Sequence, residues 1–144
     1  MSKIAFSIFI SIFLSGCIGF PNGTISQPVG KVIVDEEQYT MMPGDYEWKE
    51  DSIEISTKST PSINELAELF ETLEVNKGDT LKLEIDKNPS SISIAKLNED
   101  GTSDIVEMKD NEIIMPSESG YYIYEITTLW TNGKQIFVFD VNVD

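Results

Sequence analysis

The stretch SGYYIYEITTLW-TNGK-QIFVFDVNV, residues 119–143, leaves the chain little choice of fold. Its first arm alternates strictly, so an extended backbone puts Tyr122, Tyr124, Ile126, Thr128 and Trp130 on one face. The second arm does the same with Phe137, Phe139, Val141 and Val143. Between them lies Asn132-Gly133, the strongest short-range hairpin signal. A two-residue period predicts strands, and the turn predicts that these two pair as a final hairpin.

Upstream segments repeat the pattern. KVIV opens a domain at about Lys31, and DSIEIS places Ile53 and Ile55 on one side. In DTLKLEID, Leu81, Leu83 and Ile85 oppose Lys82 and Glu84. SSISIAKL runs into the turn Asn98-Glu99-Asp100-Gly101, then DIVEM and NEIIMP follow. One segment breaks the alternation. In TPSINELAELFETL, Ser62 and Glu65 have capping-box spacing, and Ile63, Leu66, Ala67, Phe70 and Leu73 recur at helical intervals. A helix over about 63–72 is expected, inserted so as to cover a sheet edge or one end of the core. Seven or eight strands with turns about every ten residues predict an all-β, antiparallel two-sheet sandwich over residues 31–144.

The segment SESGYY resembles the Gly-x-Tyr stretch that opens strand F of immunoglobulin-like domains. The resemblance implies that Tyr122 is the corner tyrosine and that Tyr124 stands where the strand-F cysteine would be. Both disulfide cysteines of antibody domains are missing, since the chain has one cysteine, Cys17.

That cysteine ends a different pattern. Lys3 precedes the apolar run Ile4–Leu14, which is long enough for an export signal and too short for an ordinary membrane-spanning helix. Leu14-Ser15-Gly16-Cys17 resembles the lipobox of bacterial lipoproteins at all four positions, and the chain is similar to small lipoproteins of Gram-positive bacteria. The resemblance implies a signal peptide over 1–16, cleavage between Gly16 and Cys17, and acylation (palmitate-type chains) of the Cys17 sulfur, which becomes the mature N-terminus. At about 0.8 kcal/mol per buried CH₂, one acyl chain binds a membrane reversibly and two or more hold it stably. Residues 17–30 contain IGFPNGTISQPVG, rich in Gly, Pro, Ser and Asn, and read as a lipidated N-terminus with a flexible tether.

Charge narrows the function further. Losing Lys3 with the leader takes the formal charge from −15 to −16, with no arginine anywhere. Phosphate neutralisation needs clustered Lys or Arg, so nucleic acid is not expected as a partner. An anionic membrane surface would repel the domain over about 8 Å, the Debye length at physiological salt, so lipid must hold it there. Histidine is absent, which removes Ser-His-Asp and Cys-His catalysis and ordinary zinc or blue-copper sites. No catalytic residue, metal site or cofactor is expected.

Several local patterns invite a functional reading. Tyr46 and Trp48 in MMPGDYEWKED share a strand face beside Asp45, Glu47, Glu50 and Asp51, a possible aromatic binding surface for a sugar or peptide. Packing in the core is the competing reading and is favoured, because a disulfide-free sandwich needs large aromatics inside. Trp130 carries the same two readings. Ser93-Ile94-Ala95-Lys96 spells the S-x-x-K of serine acyl-enzymes, but on a strand the two side chains point to opposite faces. NEDGTSD, 98–104, offers carboxylates for calcium without the ligand ladder of an EF-hand loop. Met41, Met42, Met108 and Met115 suggest core gap-filling over a soft-metal site.

These patterns predict a non-enzymatic binding module, lipid-anchored at the extracytoplasmic face of the cell membrane and contacting another envelope protein or wall component. The alternative is a small-ligand or cation-binding accessory protein of an envelope complex. A carboxylate-only hydrolase comes third.

Overall fold

Alternating apolar residues drive eleven strands and one helix in the computed structural model, which describes residues 26–57 and 61–144. The expected signal peptide, Cys17 and the expected tether as far as residue 25 lie outside the described residues. Strands β1 (Gly30–Val34), β2 (Glu37–Thr40), β6 (Thr80–Ile85) and β9 (Glu112–Ile114) form the smaller sheet, in the order β2-β1-β6-β9. Strands β3 (Met42–Glu50), β4 (Ile53–Thr57), β7 (Ser91–Leu97), β8 (Ser103–Val106), β10 (Gly120–Trp130) and β11 (Gly133–Val143) form the larger, in the order β4-β3-β11-β10-β7-β8. The expected immunoglobulin-like two-sheet sandwich with one short helix is the architecture observed.

The main core lies between the sheets. Val32, Leu81, Leu83 and Ile113 face it from the smaller sheet, and Ile94, Tyr124, Ile126, Phe137, Phe139 and Val141 from the larger. The Tyr124 and Phe139 rings stack across the final hairpin, 4.9 Å apart and 4° from parallel, where the two residues pair directly. Both are essentially inaccessible to solvent, so this pair anchors the centre of the core.

Three features depart from expectation. The first is eleven strands against the expected seven or eight, since short strands such as β2 and β5 (Leu73–Val75) carry too few residues to show alternation. The short strand β5 runs parallel to β11, pairing with Val141–Val143, so the larger sheet is not wholly antiparallel. It takes up the edge of β11 where β3, paired with Gly133–Val138, leaves off. The helix α1 (Ile63–Leu69) covers neither a sheet edge nor an end of the core. Leu66 and Ala67 pack on Ile123 and Val138, whose side chains leave the outer face of the larger sheet. The helix begins as expected: Ser62 Oγ accepts from Glu65 N–H, and the Glu65 carboxylate accepts from Ser62 N–H. It stops at Leu69 because Phe70 turns extended and drops into the main core, edge-on to Phe139.

The final hairpin closes through Thr131 and Asn132, with Trp130 paired to Gly133. Gly133 therefore belongs to the strand and not to the turn. Its value is space, because a Cβ there would lie 2.3 Å from the Glu47 carbonyl oxygen and 2.5 Å from the Trp48 ring.

Candidate functional site

Four chain segments meet at the end of the sandwich where the described chain begins. They are 26–29, the β3–β4 turn, the β6–β7 connection 86–90, and the hairpin turn at Thr131-Asn132. Tyr46, Trp48 and Trp130 line up on the inner face of the larger sheet at this end. The Tyr46 and Trp48 rings are 6.3 Å apart and 25° from parallel, and Trp130 tilts onto Trp48 at 5.6 Å. Lys87 caps the row, with its ammonium 5.1 Å from the Trp48 ring centre, and the Trp130 indole N–H donates to the Lys87 carbonyl at 2.9 Å.

The initial segment is stitched over this row. Lys87 Nζ donates to the Ser26 carbonyl, and Gln27 donates to the Gln135 side-chain oxygen at 2.8 Å. Val29 N–H donates to the Asp86 carboxylate at 2.7 Å, while Asp86 N–H returns to the Val29 carbonyl. Gln135 is fully buried for a local reason. A register shift between Gln135 and Phe137 disturbs the ladder with β3, and the Gln135 amide donates to the Gly44 and Asp45 carbonyls there.

Tyr46 and Trp48, read from sequence as a possible open aromatic surface, are 4% and 8% exposed. They are packing residues, the reading favoured from sequence, and the open binding surface that was its alternative is set aside. Sandwich geometry puts the core face of β3 under Trp130 and the initial segment, which cover most of both rings. Trp130 is half-buried.

At the opposite end, Tyr122 Oη donates to the Glu118 carbonyl at 3.0 Å, the tyrosine corner that the resemblance implied. Lys96 lies 5.0 Å from the Tyr122 ring centre and 3.7 Å from Asp104, and Ser93 sits on the other face of β7, opposite Thr127. The S-x-x-K pair is thereby split. The carboxylates of 98–104 are each held by protein partners. Asp100 accepts from the Thr102 hydroxyl and backbone N–H, which holds its carboxyl below the usual range, and Asp104 accepts from Asn98. Glu99 accepts from Tyr121 N–H. No group of three or more Cys, Asp or Glu side chains among the described residues is gathered closely enough to hold a metal ion. Met41 and Met115 are core residues, with Met42 and Met108 packed against the core.

One buried polar cluster had no sequence signal. Asp140, in the middle of β11, is 1% exposed. Its Oδ2 accepts from Tyr121 Oη at 2.5 Å and Thr72 Oγ1 at 3.1 Å, and its Oδ1 has no partner among the described residues. Burial pushes the Asp140 carboxyl up, against the opposing pull of those two hydrogen bonds. Burial, aided by Asp140, likewise pushes the Tyr121 phenol up. The cluster ties the chain after α1 to the sheet. An open groove of about 740 Å³ also runs beside β6, lined by Val29, Lys31, Leu83, Ile85, Pro89 and Ile92 among others.

No helix among the described residues is long and apolar enough to cross a membrane. No protein-family model and no curated protein matches the chain. Among solved structures, a Bacillus amyloliquefaciens CBM33 in complex with Cu(I) after photoreduction is similar at 15% identity and a TM-score of 0.39. The match covers 52% of this chain and 57% of that one, so this chain spans little over half its length. A likeness this weak carries no argument about function.

Proposed function

We propose that the protein is a lipoprotein held by acyl chains on Cys17 at the extracytoplasmic face of the cell membrane. Its sandwich is a non-enzymatic interaction module. The observation that carries this reading is Leu14-Ser15-Gly16-Cys17 placed directly after an eleven-residue apolar run, Ile4–Leu14, in a chain with no other cysteine. Confinement at a membrane raises the effective concentration of the domain toward any partner there, so a modest contact surface suffices. The acidic balance favours another envelope protein with a basic surface over anionic wall polymers.

A second reading, a small-ligand accessory protein, is favoured by the groove beside β6, whose 740 Å³ matches ordinary ligand sites of about 300–1,000 Å³. Intact-mass spectrometry of the protein from its native membranes tests the anchor. A mature chain beginning at an acylated Cys17 is expected, and Cys17→Ser should leave the protein unprocessed and unacylated. Crosslinking in the same membranes separates the two modules. A protein partner supports the interaction reading, whereas a melting temperature that rises with a small molecule or calcium supports the accessory one.

A further inference from the structure

The chain has two tryptophans, Trp48 and Trp130, and both stand at the end where the described chain begins. We propose that this end is the face the domain lays on the lipid bilayer, with its acidic turns held away from the surface. The inference rests on the lipid-anchor reading above and adds an orientation to it.

Chain path is the first argument. Eight residues, 18–25, lie between Cys17 and Ser26, nine Cα steps with an extended reach of at most about 32 Å. The first fixed points after them, Gln27 on Gln135 and Val29 on Asp86, are at this end. The far end lies the ten steps of β11 away, about 33 Å at 3.3 Å per residue, at the limit of that reach.

Surface chemistry is the second. Val29, Ile53 and Leu129, each about 40% exposed, ring this end from three sides, while the more exposed Leu69, Ile105 and Ile114 are scattered singly elsewhere. Val29 leads into the smaller sheet, Ile53 opens the edge strand β4, and Leu129 leaves the outer face of β10. Trp130 adds a half-buried indole whose N–H is already satisfied by protein, the amphipathic aromatic suited to a headgroup interface.

Charge is the third. In the turns of this end, 51–52, 86–90 and 131–132, Asp51 and Asp86 stand against Lys87, with Lys49, Glu50 and Lys134 in the flanking strands. The turns of the opposite end carry Asp35, Glu36, Asp79, Glu99, Asp100 and Glu118 against Lys77 alone. An anionic surface acts over about 8 Å. With the less acidic end down, the acidic turns stand clear of that layer; with the domain reversed, they lie inside it.

The test uses the full acylated protein, purified from its host and reconstituted into vesicles of phosphatidylethanolamine and phosphatidylglycerol with or without a nitroxide on the headgroup. Vesicle sedimentation is read alongside tryptophan emission. The expected result is sedimentation with a marked loss of emission to the nitroxide. Leu129→Glu should reduce that loss, and Thr102→Trp, at the far turn, should add emission that the nitroxide spares. Protein that sediments yet is not quenched overturns the orientation and leaves the anchor standing, as does equal quenching at residue 102. Protein that fails to sediment overturns both.

Discussion

Tyr122→Phe and Tyr124→Phe remove the same hydroxyl from neighbouring core-face positions of β10, and the structure assigns them different outcomes. Tyr122 Oη donates to the Glu118 carbonyl at 3.0 Å, so its loss costs one satisfied hydrogen bond and leaves the corner carbonyl to find water. The net value of such a bond is about 0.5–1.5 kcal/mol. Tyr124 is 1% exposed, and its hydroxyl faces only the Met115 sulfur at 3.9 Å, a weak acceptor. Burying a hydroxyl without a good partner costs about 1–3 kcal/mol in protein mutational data. Removing it while keeping the ring stacked on Phe139 should therefore be neutral or stabilising by up to about 1 kcal/mol, the shortfall being the gap left by the oxygen. Urea unfolding read by tryptophan emission checks both, since the midpoint moves with stability when the slope is unchanged. For a domain of this size, about 1 kcal/mol also moves the melting temperature by about 3–6 °C. The reasoning fails if Tyr124→Phe loses as much stability as Tyr122→Phe.

Gly133→Ala should destabilise by at least the ~1–3 kcal/mol of an overpacked core, because backbone of β3 and not a flexible tip blocks the new Cβ; an unchanged urea midpoint would refute the close approach. Asp140→Asn should change how stability depends on pH. Burial raises the Asp140 carboxyl, so the folded chain holds a proton that the unfolded chain has released once pH exceeds its value of about 3.9. Stability therefore falls as pH rises from there to the raised folded value, a slope that Asp140→Asn removes. Parallel curves for the two proteins across that window would show that Asp140 titrates normally.

How much was legible depends on the range of the signal. The period-two runs over 80–85 and 120–143 specify which side chains enter the core, because pleating alone decides that. The Ser62–Glu65 cap starts the helix through contacts three residues apart. The helix's position was not legible, because Ile123 and Val138, its landing site, look like the solvent side of their strands until α1 covers them. Asp140 reads as a surface residue for the same reason. Gly133 sits in a genuine turn motif, yet its role comes from Trp48, 85 residues earlier. Tyr46 and Trp48 spell the same platform whether open or buried, and only Trp130, Lys87 and the segment 26–29 decide between the two.

By itself, then, the order of residues determined which side chains of the long strands share a face, the helix start, and an acidic composition without histidine. Pairing across long separations decided the rest: the parallel strand β5, the outer layer under α1, the buried Asp140, and an aromatic end less acidic than the one opposite. The physical reason is that local conformation depends on neighbours a few residues away. What a face meets depends on which distant segment can bury it without leaving a polar group unpaired.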